Sequence, residues 1–138
     1  MLGIDLVYLP EFKIKLKSVQ LGKIFLEIEL AQNKSVESLA GIFAAKEAFF
    51  KAVGKKEDWL SIWIEKNPPS PKASADAASF AEVASATKAE KAMADRSEGQ
   101  GKPHLYSTLI KNNQKAEVSI SHSGDYAIAV VVIYENTY

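Results

Sequence analysis

Apolar residues fall along this chain in two rhythms. Over residues 2–9 they run almost unbroken, with only Gly3 and Asp5 interrupting, and the run predicts a strand closed by Pro10. Over 11–23 the spacing lengthens. Phe12, Leu16 and Val19 are opposed by Lys13, Lys15 and Lys17, which predicts an amphipathic, basic helix. A shorter turn or helix is expected over 25–31.

Residues 36–53 carry the clearest helical pattern, with Ser35 as N-cap and Gly54 as stop. Leu39, Ile42, Phe43, Phe49, Phe50 and Val53 cover much of its circumference, so this helix is expected at the centre of the fold. Glu47 lies between Phe43 and Phe50 on an apolar face, and Lys51 shares that face one turn later. Strands are expected over 60–65 and 102–106, followed by a short helix over 108–113. Strands at 117–123 and 126–134 flank Gly124-Asp125, a strong hairpin signal. The second is apolar on both faces and predicts a central strand covered on both sides.

Residues 66–100 differ in kind. Pro68, Pro69 and Pro71 open the segment, and ten of the thirty residues from 71 to 100 are alanine. Ser79 and Glu82 resemble a capping box for a helix over 80–96, but Phe80, Val83 and Met93 form no continuous stripe. The segment reads as an Ala/Pro-rich insertion between two strands of a single domain spanning 1–138.

Composition adds mostly exclusions. Lys plus Arg and Asp plus Glu balance at 17 each, so no global field points to nucleic acid or membrane. The absence of cysteine excludes disulfides and thiolate metal sites. With no secretory pattern at the start and no apolar run long enough to span a bilayer, a soluble, cytoplasmic protein is expected.

Three polar groups sit in apolar surroundings: Asp5 in the first strand, Glu47 with Lys51 in the central helix, and His122 at the end of a Val/Ile-bearing strand. Ionised groups in such settings need a partner or a metal. Magnesium favours one or two carboxylates completed by water and substrate phosphates, which Asp5 and Glu47 would supply if their elements pack together. Lys51 could then reach a phosphate, and His122 could donate to one or move a proton. Each residue alone also has an ordinary explanation: a turn aspartate, a solvated Glu–Lys pair, a strand-end histidine.

Taken together the motifs are more specific. Gly3-Ile4-Asp5-Leu6-Val7, the run from Leu39 through Lys46-Glu47-Ala48 to Lys51-Ala52-Val53-Gly54, Gly101-Lys102-Pro103, and Val118-Ser119-Ile120-Ser121-His122-Ser123 occur in the order of their counterparts in the holo-(acyl-carrier-protein) synthases. The chain resembles that family of 4′-phosphopantetheinyl transferases over 1–65 and 99–134. The resemblance implies an α+β fold, an antiparallel sheet packed against a long central helix, assembled as a trimer with sites between subunits. It implies Mg²⁺-dependent transfer of the phosphopantetheine arm of coenzyme A to a serine of an acyl carrier protein, releasing 3′,5′-ADP. Asp5, Glu47 and Lys51 correspond to catalytic positions, Asp5 and Glu47 being the metal ligands. Lys51, His122, Ser121, Gly54, Lys102 and Pro103 correspond to the coenzyme A side.

Departures are specific too. Ile42 stands where the family has arginine, and Pro10-Glu11 stands near another family arginine whose carrier-protein contact Lys13, Lys15 and Lys17 would have to replace. Gly54-Lys55-Lys56 replaces a glycine-rich turn. A weakened member that binds carrier protein or coenzyme A without turnover, or a purely structural trimeric module, is the rival reading.

Overall fold

The computed structural model describes residues 1–66 and 102–137. The expectations for the Ala/Pro-rich segment beyond Lys66, its helix over 80–96 included, lie outside these residues. The described chain runs β1 (Leu2–Tyr8), α1 (Leu9–Ser18), a 3-10 turn (Leu21–Lys23), α2 (Glu27–Gln32), α3 (Val36–Val53), a second 3-10 turn (Trp59–Ser61), β2 (Ile62–Lys66), β3 (Pro103–Ser107), β4 (Gln114–Ser123) and β5 (Tyr126–Glu135).

Helix α3 starts and stops where its punctuation directs. The Ser35 hydroxyl accepts the Ser38 amide at 3.1 Å, and Gly54 closes the last turn at φ 79°, donating its N–H to the Phe50 carbonyl. The positive φ, 55° at Gly124, reverses the chain between β4 and β5. These two strands and β1 form an antiparallel sheet in the order β1-β5-β4. The register pairs Asp5 with Ala129 and Ala129 with Ile120.

Alanines set the depth of α3 on this sheet. Ala44, Ala45 and Ala48 of the helix and Ala127 and Ala129 of β5 are fully buried. A Cβ built on Gly3 would lie 1.8 Å from the Ala48 carbonyl oxygen, so β1 meets the helix backbone directly and only glycine fits. That contact brings Asp5, two residues on, beside the last turns of α3.

Several expectations are corrected. The first helix begins at Leu9, one residue before Pro10, which sits in its first turn; it ends at Ser18, and only a 3-10 turn follows. Residues 108–113 form turns, not a helix; the Ser107 hydroxyl accepts the Leu109 amide at 3.0 Å, the local side-chain bond that competes with helix. Strand β5 is covered by α3 on one face only. On the other, Tyr126, Ile128, Val132 and Tyr134 are exposed, continuous with Leu2, Ile4, Leu6 and Tyr8 of β1.

Candidate functional site

The same helix that fills the core also carries charge. Lys46 sits in the middle of the apolar stripe, three residues beyond Phe43 and four before Phe50, and is fully buried. Its ammonium donates to Glu29 Oε2 at 2.8 Å, to the Ile24 carbonyl at 2.6 Å and to the Trp59 carbonyl at 3.1 Å. Glu29, also fully buried, accepts the Leu26 and Ile64 amides at 2.8 and 2.9 Å. Burial pushes the Glu29 carboxyl up and the Lys46 ammonium down, while their mutual attraction opposes both. With donors and acceptors all matched, this pair ties α2, α3 and the start of β2 together. Sequence reasoning gave Lys46 no role, although a lysine at the centre of an apolar stripe was the available signal.

One residue on, the helix turns toward solvent. Glu47 lines a cleft of about 250 Å³ together with Asp5, Leu6, Val7, Tyr8, Glu11, Phe12, Lys15 and Phe43. Lys51 donates to Asp5 Oδ1 at 2.6 Å and to the Ile4 carbonyl at 3.2 Å. Lys56, beyond the helix stop, reaches Glu47 Oε1 at 3.4 Å. The expected pairing of strand one with the central helix is therefore what brings Asp5, Glu47 and Lys51 together.

Both carboxylates fit a divalent cation. They face one cleft, each balanced by a single, solvent-exposed lysine rather than a closed shell of donors. Among the described residues no three His, Asp or Glu side chains gather as a metal cage. Two carboxylates leave positions for water and phosphate oxygens, as magnesium prefers. The cleft is smaller than the roughly 300–1,000 Å³ that encloses a drug-sized ligand.

Lys15 faces the cleft with Glu11, whereas Lys13 and Lys17 are exposed and one turn apart from each other. The three lysines thus do not form one face, because alternate positions on a helix point to opposite sides. Ile42 is fully buried in the core, so the position lacks a charge and needs no partner.

His122, near the end of β4, packs against α3 at a different place. A Cβ on Gly41 would come within 2.9 Å of His122 Nε2 and 2.7 Å of Ile120 Cγ2, so the glycine admits the imidazole against the helix. Gly41 and Lys51 are ten residues apart, about 15 Å along the axis. Asp5 and His122 therefore stand on opposite edge strands and do not converge within one chain. Ser121 points to the open sheet face, paired with Ile128; Pro103 opens β3, with Lys102 before it, and Gly54 caps α3.

This α+β frame places a carboxylate pair and lysines where one strand crosses a central helix. The model of the 4′-phosphopantetheinyl transferase superfamily matches residues 1–131, and the chain belongs to that superfamily. It is 33% identical over 142 residues to a holo-[acyl-carrier-protein] synthase of Nautilia profundicola, covering 96% of this chain and 98% of the relative. A synthase of Shouchella clausii is 33% identical over 109 residues, covering 76% of this chain and 65% of that relative. The structure of Helicobacter pylori holo-[acyl-carrier-protein] synthase in complex with coenzyme A superposes with a TM-score of 0.67 at 26% identity, covering 97% of this chain and 100% of that one.

Proposed function

We propose that this chain works as a holo-(acyl-carrier-protein) synthase whose metal site is the Asp5–Glu47 pair. It moves the 4′-phosphopantetheine arm of coenzyme A onto a serine of an apo acyl carrier protein and releases 3′,5′-ADP. The observation that carries the site is the convergence of Asp5 and Glu47 on one cleft, each with a displaceable lysine. Magnesium bound there supplies charge neutralisation at the pyrophosphate. Asp5 and Glu47 would hold it, and Lys51, resting on Asp5 and the Ile4 carbonyl, would supply positive charge to the phosphates. Positioning and charge carry most of such a reaction, so little covalent help is required of the protein.

His122, Ser121, Gly54, Lys102 and Pro103 are assigned to the coenzyme A side. Because His122 and Asp5 do not converge in one chain, the complete site forms between subunits of a homotrimer. The open sheet face supports this assembly: Leu2, Leu6 and Ile4 are 61, 57 and 49% exposed, an apolar patch of the kind that marks self-association. Balanced charge, and the fact that no helix among the described residues is long and apolar enough to cross a membrane, support a role in the cytoplasm without nucleic-acid or membrane partners. Residues 66–100 are a passive insertion in one domain.

The test is incubation with coenzyme A, Mg²⁺ and an apo carrier protein, read by intact mass. A carrier heavier by one phosphopantetheine arm is expected. Retention of the apo mass under conditions where coenzyme A binds would instead establish a binding module without turnover.

A further inference from the structure

Lys56 lies in the turn that replaces the family's glycine-rich one, and it contacts Glu47. The left-handed turn at Gly54 ends α3, and Lys56, three residues past Val53, reaches back to Glu47 inside the helix. Its ammonium lies 3.4 Å from Glu47 Oε1 and 4.7 Å from the centre of the Trp59 ring. Trp59 is itself fixed, stacked on Phe43 at 5.0 Å and met edge-on by Phe50 at 5.3 Å. A ring held on two sides gives an exposed lysine a defined resting place. Its neighbour Lys55 is turned away to Glu57.

The hold on Glu47 is loose. At 3.4 Å it is longer than the 2.7–2.9 Å of a strong charge-assisted bond, and well beyond the 2.6 Å of Lys51 to Asp5. A dication taking Glu47 would repel the ammonium, and the Trp59 face gives it a second resting place close by. Held beside Glu47 and Trp59, it would stand near the phosphate oxygens that complete a metal's shell there. Positive charge is needed there, since the C-terminal end of α3 carries a partial negative charge that disfavours an anion.

We propose that Lys56 is an exchange residue: it neutralises Glu47 in the metal-free protein and binds a phosphate oxygen of coenzyme A once the metal is in place. This rests on the assignment of Glu47 as a metal ligand. The two roles give opposite signs in one variant. In the full chain, Lys56→Ala should tighten Mn²⁺ binding, measured without coenzyme A by electron paramagnetic resonance, by about two- to fivefold, the range of an exposed ion pair. With Mn²⁺ saturating, the same variant should bind coenzyme A about fivefold or more weakly by calorimetry. A residue that merely supports the loop would weaken both. Glu47→Gln serves as control and should weaken Mn²⁺ at least tenfold. If that control holds while Lys56→Ala leaves both affinities unchanged or lowers both, the exchange role is wrong. If Glu47→Gln leaves Mn²⁺ affinity untouched, the metal assignment itself falls, and the role of Lys56 with it.

Discussion

Helix α3 carries two lysines five residues apart, Lys46 and Lys51, each paired with a carboxylate from another element, and their surroundings could hardly differ more. Lys46 and Glu29 have no exposure at all and every hydrogen-bonding position filled. The Lys51 side chain is 53% exposed and uses two of its three donors, on Asp5 Oδ1 and the Ile4 carbonyl, leaving one free for solvent or ligand. The same chemistry, buried and saturated, serves the fold; exposed and sparingly bonded, it is available for exchange with a metal or a phosphate. Charge alone does not mark a functional residue, and the count of partners around it does.

The comparison breaks most visibly through stability. Lys46→Met should cost about 3–5 kcal/mol in denaturant unfolding, because it strands the Glu29 carboxylate without its counter-ion. Lys51→Met should stay within about 1 kcal/mol of wild type while losing most of the transfer activity. Adding Glu29→Leu to Lys46→Met should recover only part of the loss, since it removes the stranded charge but leaves the Leu26 and Ile64 amides unpaired. Similar stability for the two single variants would dissolve the distinction.

A second contrast lies between the two faces of the sheet. The helix-covered face has Ala127, Ala129 and Val131 fully buried, whereas Ile4 and Leu6 on the other side stand open. If the proposed trimer forms through this face, Ile4→Glu with Leu6→Lys should leave the chain folded by circular dichroism but lower its mass in solution to that of a monomer, and activity should fall with it. A wild-type chain that runs as a monomer at micromolar concentration would show that the face has another purpose.

Smaller effects are expected at the surface. Lys13→Glu with Lys17→Glu should raise the KM for an acidic carrier protein several-fold at low salt and leave that for coenzyme A unchanged. The difference should shrink as salt shortens the Debye length to about 10 Å near 0.1 M. Smallest of all should be replacement of residues 71–99 by a short Gly-Ser turn, because each doubling of loop length changes closure entropy by only about 0.6 kcal/mol. Loss of the oligomer or a large rise in the coenzyme A KM would make that segment part of the machinery.

Local chemistry made some of this legible in the sequence. Ser35, Gly54 and the Gly124-Asp125 pair act within a few residues of themselves, so α3 and the β4–β5 hairpin could be placed from composition and spacing. The pairing of Asp5 with Lys51 depended on which face of α3 meets β1, and Gly3 settles it through a contact with the backbone at Ala48, forty-five residues away. Lys46 was hidden for the same reason, its partners being contributed by Ile24, Glu29 and Trp59. An apolar strand such as β5 looks alike in sequence whether one face or both are covered within the chain, and only the folded subunit shows its second face open.

The most direct measurement is a Mg²⁺ titration of phosphopantetheine transfer, followed by intact mass, for wild type, Asp5→Asn and Glu47→Gln. Loss of one ligand removes part of a charge stabilisation worth several kcal/mol, so either variant should lose about 10²-fold or more in kcat/KM, and added Mg²⁺ should recover only part of it. The unfolding midpoint should stay near that of wild type. Transfer in either variant at the wild-type rate and with the wild-type Mg²⁺ midpoint would contradict the account.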